Sequence, residues 1–330
     1  MTMQPTPGDV HVNAPLTNIS IAFLQNANDF IASKVFPNIP VSKQSDRYYV
    51  YNRGDFNRDE MQERAPATES AGSGYSLDNT PTYYAPRYSI HKDIPDEVRS
   101  NADAVLNPDR EATAFVTHKA LIKREKLFVG RYFSAGNWGT DMSGVASSPT
   151  GSQVLQWSDA NSDPIANIRS AKRAIREQTG YEPNKLVLGR PVFDALIDHV
   201  DIVDRIKYGQ TVGAPAMANV QTLAALLAID EILVMNAVEN TAKEGQTASH
   251  SFIGGKKALL CHSATAPGLM TPSAGYTFSW TGLLGAGAEG NRIRQFRMEN
   301  IGADRVEIDM CFDTKLVASE LGYFFDTIVA

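Results

Sequence analysis

Residues 285–290 carry the glycine spacing of a dinucleotide-binding loop. Gly285, Gly287 and Gly290 match the pattern G-x-G-x-x-G, in which the backbone approaches a pyrophosphate at the start of a helix. That chemistry needs a strand before the loop and a helix after it. Residues 291–297 (Asn-Arg-Ile-Arg-Gln-Phe-Arg) instead alternate as a strand does. The sequence therefore predicts a glycine-rich connection of a β-hairpin here rather than a nucleotide site.

No other motif supplies the groups that catalysis needs. Residues 254–257 (Gly-Gly-Lys-Lys) lack the upstream glycine and the following Ser or Thr of a P-loop, and the G-x-S-x-G pattern of a nucleophilic serine does not occur. Cys261 and His262 are adjacent, and neighbouring residues of a strand point to opposite faces, which disfavours a pair of nucleophile and base. A buried thiol is the better interpretation of Cys261.

The remaining histidines show no metal-ligand spacing. His11, His91, His118, His199 and His250 are scattered, and none belongs to an H-x-x-x-H or C-x-x-C pattern. A metal site assembled from distant residues stays open at this point, without positive evidence. We therefore predict no catalytic residue, no cofactor and no metal ion.

The composition is that of a folded globular protein. The chain has 330 residues and a mass of 36.0 kDa; 43% of the residues are hydrophobic and 21% are charged, which fits one or two domains. The net charge of −6 and the isoelectric point near 5.6 argue against a dedicated nucleic-acid-binding protein. A local basic surface can still exist on such an acidic protein.

Neither a secretory signal nor a membrane span is predicted. The first residues lack the positive charge and the apolar run of a signal peptide, and two cysteines, Cys261 and Cys311, are too few for a disulfide framework. The longest uncharged segments, 208–229 and 258–288, are interrupted by Gly, Pro and polar residues, so neither can cross a bilayer cheaply. We expect synthesis in the cytoplasm and no membrane partner.

One long amphipathic helix is predicted over residues 108–134. Asn107 can cap its start, Pro108 suits the first helical position, and Gly136 can end it. At about 1.5 Å per residue the helix would extend roughly 40 Å, which is longer than the average helix of a globular domain. Other elements should therefore pack along it.

The predicted helix has a broad apolar face and a basic flank. The apolar face combines two stripes, Phe115, Ile122, Val129 and Phe133 beside Ala114, Leu121, Phe128 and Tyr132. The flank consists of Lys119, Lys123 and Lys126, and such a flank is usually solvated; the alternative is contact with a polyanion. His118 and Glu125 fall within the apolar arc, so we expect each to be a buried polar group with a partner.

The first 92 residues predict an arm followed by an extended loop. Residues 1–43 begin with a segment rich in proline and poor in large apolar side chains, which is typical of an extended arm that a neighbouring subunit holds. Residues 46–52 and 81–90 are predicted as the two strands of a hairpin. About thirty residues rich in charged and small side chains connect them, and connections of this length are usually functional. We expect the loop to reach another surface.

From residue 163 onward the sequence has α/β character. Asp163 and Pro164 predict the start of a helix that Gly180 follows. Further helices are predicted over 191–203 and 219–228, and strands over 186–188, 232–235 and 251–261. After residue 264 the alternation of aromatic and aliphatic side chains predicts antiparallel strands. The chain as a whole is predicted to be α+β.

In this order, the segments resemble the major capsid proteins of tailed bacteriophages, whose fold is shared with encapsulins and the herpesvirus capsid floor. The resemblance lies in the order and spacing of stretches that are not chemical motifs. These stretches are Asp55-Phe-Asn-Arg58 through Arg64-Ala-Pro-Ala-Thr-Glu69, Asn107-Pro-Asp-Arg-Glu-Ala-Thr113, Leu186-Val-Leu-Gly-Arg-Pro191 with Ile202-Val-Asp-Arg-Ile206, and Glu320-Leu-Gly-Tyr-Phe324. The resemblance spans nearly the whole chain.

This resemblance implies a division of the chain into five parts. They are an N-terminal arm (1–43), an extended β-hairpin loop (44–92), a peripheral domain with the long spine helix (93–154), an axial α/β domain (155–290), and C-terminal strands that return to the peripheral domain (291–330). In such shells the extended loop lies over a neighbouring subunit, and the axial domains meet at the centres of pentamers and hexamers. The implied function is closed self-assembly into an icosahedral head around double-stranded DNA.

The resemblance also implies sites and partners. The expected inter-subunit contacts are Arg53, Arg58, Glu60, Glu63, Arg64 and Glu69, and the residues expected to face DNA are Lys119, Lys123 and Lys126. The expected location is the capsid of a virion that is assembled in the host cytoplasm. Only about forty residues precede the hairpin, so a separate scaffolding protein is expected, beside a portal and a candidate decoration protein.

Two further expectations concern the loop and the alternatives. Residues 44–91 contain five arginines and no lysine, so the lysine–asparagine crosslink of some members of this family is not expected in the loop. One alternative function is an encapsulin-type compartment, which differs in what the shell encloses. The other, less favoured, is an enzyme of α/β type.

Overall fold

The computed structural model describes residues 24–102, 106–208, 219–268, 270–283 and 287–330. The α-helices in these residues are α1 (Ala32–Val35), α2 (Arg53–Phe56), α3 (Asp96–Asn101), α4 (Pro108–Tyr132), α5 (Pro164–Thr179), α6 (Arg190–Asp198), α7 (Val200–Tyr208) and α8 (Val220–Leu227). Three short 3₁₀ turns add to them. Most of the predicted N-terminal arm, residues 1–23, lies outside the described residues.

The strands form two main sheets and three short two-stranded ribbons. They are β1 (Asn38–Val41), β2 (Ser45–Arg47), β3 (Val50–Tyr51), β4 (Leu77–Asp78), β5 (Thr82–Tyr84), β6 (Arg87–Pro95), β7 (Thr140–Val145), β8 (Gln153–Leu155), β9 (Lys185–Gly189), β10 (Glu231–Met235), β11 (Val238–Asn240), β12 (His250–Phe252), β13 (Ala258–Cys261), β14 (Gly275–Trp280), β15 (Asn291–Met298), β16 (Ala303–Leu316) and β17 (Gly322–Asp326). The α+β class that the sequence predicts is confirmed.

The long strand β16 organises the first sheet. Its first nine residues pair with β6 on one side and, over eight residues, with β15 on the other, and its last five pair with β14. β1 then joins β14 in parallel. The second sheet has the order β10-β9-β13-β17-β7-β8. Three layers result, because helices α5 to α8 cover one face of the second sheet, and α1 and the end of α4 cover the other.

Helix α4 confirms the long helix that is predicted over residues 108–134. It begins at Pro108, where the Asn107 side chain accepts from the Arg110 N–H at 3.1 Å, and its 25 residues end at Tyr132, two residues earlier than predicted. Its first half packs on β16 through Val306 and Ile308. Its second half packs on the second sheet. One helix therefore connects both sheets.

The predicted apolar face of α4 is correct only towards its end. Phe128 and Tyr132 are buried, as expected. In the first half, however, Ala112, Val116 and Ala120 face the sheet, whereas Phe115 is 42% exposed. The small side chains at intervals of four residues let the helix approach β16 closely, and an aromatic ring would hold it away. The packing partner, rather than side-chain hydrophobicity, selects the buried face here.

Residues 30–41 correct the expectation of an arm that packs only on a neighbour. Phe30, Ile31, Val35 and Phe36 are each at most 4% exposed, and they pack on α4 and the second sheet of their own subunit. β1 follows as an edge strand, where Pro40 costs no ladder hydrogen bond on its free side. This part of the predicted arm belongs to the core of the subunit.

The α/β segments largely follow the predictions. The Asp163 side chain accepts from the Ala166 N–H at 2.8 Å, and Gly180 ends α5 with a left-handed φ of +79°. The predicted helix 191–203 is instead two helices, because His199 adopts an extended conformation between α6 and α7. Its buried imidazole lies 3.1 Å from the Ser162 hydroxyl, which fixes the break.

Each main sheet contains strands from more than one of the predicted parts of the chain. β7, β8 and β17 all lie in the second sheet, beside strands of the 155–290 range, whereas β14 lies in the first sheet. Strand pairing between distant segments is not visible in local sequence patterns, so these boundaries could not be predicted. The division into axial and peripheral domains itself stays a prediction.

The glycine-rich segment before β15 is not a hairpin connection. β14 and β15 pair with different parts of β16 and not with each other. The prediction that a strand follows the glycines is confirmed, and Gly285 lies outside the described residues. Gly290 has φ of +68°, and a Cβ there would lie 2.4 Å from the Cys311 carbonyl oxygen. That glycine is needed for close packing on β16.

Candidate assembly interface

The extended loop forms a ladder of two short ribbons. β2 pairs with β5, and further out β3 pairs with β4, so the predicted hairpin is confirmed from Ser45 to Tyr84. The return strand ends earlier than predicted, because residues 87–90 belong to β6 and pair with β16. The connection from residue 52 to 76 therefore lies at the far end of the ribbons. Nearly all its side chains are exposed.

Three aromatic rings hold the end of the loop together. The rings of Tyr51, Phe56 and Tyr75 lie 5.5 to 6.0 Å apart. The Asp55 carboxylate also accepts from the Ser76 hydroxyl and N–H at 2.7 and 2.8 Å. These bonds hold the pKa of Asp55 below its usual value. The end of the loop therefore has a small aromatic cluster of its own.

The same end of the loop exposes apolar surface. Phe56 is 49% exposed, Tyr75 64% and Met61 94%. Large apolar side chains at this exposure are unfavourable in an isolated subunit unless a partner covers them. The sequence shows all three residues in a loop that is otherwise rich in charged and small side chains. The contact of Phe56 with Tyr75, about twenty residues later, could not be predicted from it.

The six charged residues predicted as loop contacts divide into two groups. Arg58 pairs with Glu60 at 3.0 Å and with Asp55 at 3.7 Å, and the Arg64 guanidinium donates to the Thr68 carbonyl oxygen, so these bind within the loop. The exposed side chains of the other three form no ion pair within the described part of the chain; they are Arg53, Glu63 and Glu69. Their role as contacts stays a prediction.

The three lysines of the basic flank of α4 are exposed, and they make different contacts within the subunit. Lys119 lies 5.5 Å from the Phe115 ring centroid, and Lys123 lies 5.3 Å from that of Tyr88. Lys126 pairs with Glu239 at 2.5 Å, so its charge is balanced within the subunit. Contact of these lysines with DNA stays a proposal, and within the described residues Lys119 and Lys123 form no ion pair.

A charge network that sequence analysis missed covers the outer face of the first sheet. The fully buried carboxylate of Asp309 accepts from Arg87 at 2.8 Å and from Arg292 at 2.8 Å. The Ser89 hydroxyl donates at 2.5 Å. Burial acts to raise the pKa of Asp309, but these hydrogen bonds outweigh it, so the pKa lies below its usual value.

The buried carboxylate of Glu125 binds the N-terminal segment to α4. It accepts from the Ile31 N–H at 3.1 Å and from the Ala32 N–H at 2.9 Å, at the start of α1. Burial raises the pKa of Glu125, and the two backbone hydrogen bonds act in the opposite direction. The prediction that Glu125 is a partnered buried group is confirmed. His118 packs its ring edge-on against Phe30.

The side chains that could act as nucleophiles, bases or metal ligands do not converge on one site within the described residues. Cys261 is fully buried, which confirms the interpretation as a buried thiol, and burial raises its pKa to about 12. His262 lies outside that core and contacts Tyr181. Within the described residues, no three His, Cys, Asp or Glu side chains converge as a metal site, and no helix is long and apolar enough to span a bilayer.

Comparison with known proteins gives one consistent result. Residues 154–275 match the family model described as phage major capsid protein E. The major capsid protein of Pseudomonas phage JBD67 is 28% identical over 325 residues, covering 97% of both chains. That of Burkholderia phage BcepMu is 24% identical over 335 residues, covering 96% of both.

Solved structures agree with the sequence comparisons. The capsid protein of cyanophage P-SCSP1u superimposes with a TM-score of 0.61 at 10% identity and covers 99% of both chains. The chain has the fold of phage capsid proteins. A phage-related protein from Bordetella bronchiseptica RB50 has a TM-score of 0.66 at 19% identity, with 92% of this chain and 93% of that one covered. The resemblance that the sequence carried is thereby confirmed.

The phage capsid fold also occurs in protein compartments. The SrpI encapsulin of Synechococcus elongatus PCC 7942 superimposes with a TM-score of 0.56 at 9% identity, covering 99% of this chain and 96% of that one. The fold is therefore shared by phage capsids and by this encapsulin. What the shell encloses must be argued from other observations.

Proposed function

We propose that this protein is a structural major capsid protein, not an enzyme, that assembles with copies of itself into a closed icosahedral head around double-stranded DNA. The observation that carries the proposal is the match over 97% of both chains with a phage major capsid protein. The exposed loop supports it, because Phe56, Tyr75 and Met61 leave apolar surface that a neighbouring subunit can cover.

Further partners follow from this proposal. Hexamers and pentamers of the chain would form the shell, with the extended loop over a neighbour and Arg53, Glu63 and Glu69 free to pair across the contact. A separate scaffolding protein, a portal and a decoration protein are proposed partners, and assembly would take place in the host cytoplasm. Lys119 and Lys123 would contact the packaged DNA without sequence preference, since phosphate contacts need only positive charge within reach.

The experiment is expression of the full chain, with and without a scaffolding protein from the same genome, followed by negative-stain microscopy. Closed particles of tens of nanometres are expected. A chain that stays a stable monomer under all these conditions contradicts the proposal. Particles from infected cells distinguish a phage head from an encapsulin-type compartment, since nuclease-protected DNA is expected only in the head.

The loop can be tested separately. Replacing residues 53–79 by a short Gly-Ser linker removes Phe56 and Tyr75 from the aromatic cluster but leaves β2 paired with β5. The subunit should keep its thermal unfolding transition, because the removed residues contribute little to the core, and should lose assembly. Normal particles from this variant would show that the loop is not an interface.

A further inference from the structure

The helices that cover the second sheet form a surface groove with an apolar floor and a charged rim. It lies between α5 and α8 and encloses about 740 Å³. Ile165, Ile168, Leu226 and Leu227 form its apolar floor. No residue of α7 lines the groove of its own subunit, although α7 packs on α8 from elsewhere.

The rim of the groove carries unbalanced positive charge. Lys172 and Arg176 pair with Glu182 at 3.4 and 3.2 Å. Arg169 and Arg173, one turn apart on α5, are exposed and form no ion pair within the described residues. Glu177 follows one turn later and is exposed as well. Along α5 the free charges therefore run basic, basic, acidic.

The complementary pattern lies on α7 of the same chain. Val200 and Val203 are 54% and 36% exposed, which leaves an apolar ridge on the surface of this helix. Asp201 and Asp204 precede Lys207, and none of the three forms an ion pair within the described part of the chain. In chain order, Asp201, Asp204 and Lys207 are acidic, acidic and basic, so each is opposite in sign to the corresponding free charge along α5. Arg205, also in α7, lies on the side of the helix away from Val203.

We propose that α7 of one subunit packs into the α5–α8 groove of the next. Val200 and Val203 lie on the apolar floor, Asp201 and Asp204 face Arg169 and Arg173, and Lys207 faces Glu177. Because groove and ridge are different surfaces of one chain, the contact is head-to-tail, and its repetition closes a ring of subunits. This inference rests on the proposed shell-forming function and names the surfaces that join subunits within one capsomer.

Charge reversal tests the contact on the full chain. Arg173→Glu and Asp204→Arg should each reduce assembled particles about tenfold or more at a fixed protein concentration, because each places like charges together. The double variant restores an opposite pair and should recover assembly to within about threefold of the unaltered chain. Arg110→Glu, at an exposed position of α4 outside both the groove and α7, makes the same charge change as a control and should assemble normally.

A cysteine pair supplies a second readout. Val203→Cys together with Leu226→Cys should give disulfide-linked ladders in oxidised particles, whereas either substitution alone should not, since Cys261 and Cys311 are buried. If the charge-reversal variants do not fold, Arg173→Gln and Asp204→Asn take their place. Each neutral substitution should also reduce the amount of assembled particles.

The outcomes separate this inference from the proposed function. If the unaltered chain forms no particles, the proposed function fails. If it assembles and the single reversals assemble equally well, or the double variant does not recover, the contact is wrong while the function stands. A third outcome is that the single reversals lose scaffold-dependent assembly while the cysteine pair gives no disulfide ladder. The groove would then bind another protein, which also overturns the proposal.

Discussion

Two buried carboxylates show how single residues hold the subunit together. Asp309 has a fully buried side chain balanced by Arg87 and Arg292, and Glu125 is buried where the backbone N–H groups of Ile31 and Ala32 donate to it. The difference sets the direction of each pKa, which is lowered for Asp309 and raised for Glu125. Each is therefore expected to respond differently to substitution and to pH.

Asp309→Asn should lower the free energy of unfolding of the subunit by about 3 kcal/mol at neutral pH, because Arg87 and Arg292 lose their shared carboxylate. A lowered pKa in the folded state means that the ionised group stabilises the fold above pH 3.8, and that this contribution is lost as the pH falls through the lower folded value. Urea unfolding at neutral and acid pH measures both effects.

The expected sign at acid pH gives this prediction a second test. The difference between Asp309→Asn and the unaltered subunit should shrink below pH 3.8, since the unaltered carboxyl then becomes protonated as well. Asp230→Asn, at an exposed site, is the control and should change the free energy of unfolding by less than about 0.5 kcal/mol. An equal difference at all pH values would contradict the assignment.

Glu125→Ala should destabilise the subunit by about 2 to 4 kcal/mol, because the buried N–H groups of Ile31 and Ala32 lose their acceptor. Glu125→Gln retains one acceptor oxygen, so its loss of stability should lie between zero and that of Glu125→Ala. Hydrogen exchange measures the effect locally: the amides of residues 31 and 32 should exchange faster in the Ala variant. Unchanged protection there would mean that the segment is held by apolar packing alone.

At the scale of elements, helix α4 has some features that the sequence predicts and others that it does not. Its start and length follow from Asn107, Pro108 and the apolar periodicity, which are local signals. Its buried face in the first half does not, because β16, about 190 residues later in the chain, determines that Ala120 faces inward and Phe115 outward. The same reason explains why the rings of Tyr51 and Tyr75 could not be paired in advance.

The two aromatic residues provide a matched test of this face. Phe128→Ala removes a ring that is 1% exposed and should lower the free energy of unfolding by about 3 to 5 kcal/mol. Phe115→Ala makes the same chemical change on the same helix at a side chain that is 42% exposed, and should cost less than about 1 kcal/mol. Chemical denaturation of unassembled subunits gives both values, and similar losses would contradict the orientation of α4.

At the scale of the whole molecule, the order of segments was predictable and their pairing was not. The capsid fold could be inferred from the sequence of arm, hairpin, spine helix and α/β unit. The groove beside Arg169 and the network around Asp309 could not, because each joins segments whose contact depends on the complete topology. Assembly surfaces of this kind become visible only in the folded subunit.

The absence of lysine from residues 44–91 leads to a prediction about whole particles. Arginine stays protonated and cannot replace the amine nucleophile of a lysine crosslink, so contacts at the loop should be noncovalent. Purified mature particles boiled in detergent and reductant should run as one band near 36.0 kDa. A ladder of larger species that resists reduction would show covalent joining at another site.

The position of β17 has a consequence for how a cell makes this protein. β17 is the last strand in chain order, yet it lies in the middle of the second sheet between β13 and β7, with Tyr323, Phe324 and Phe325 buried. The sheet therefore cannot close while the ribosome still holds these residues. Prematurely terminated chains would lack the strand that joins β13 to β7, so translation errors should yield fragments for proteolysis rather than defective subunits that enter a growing lattice.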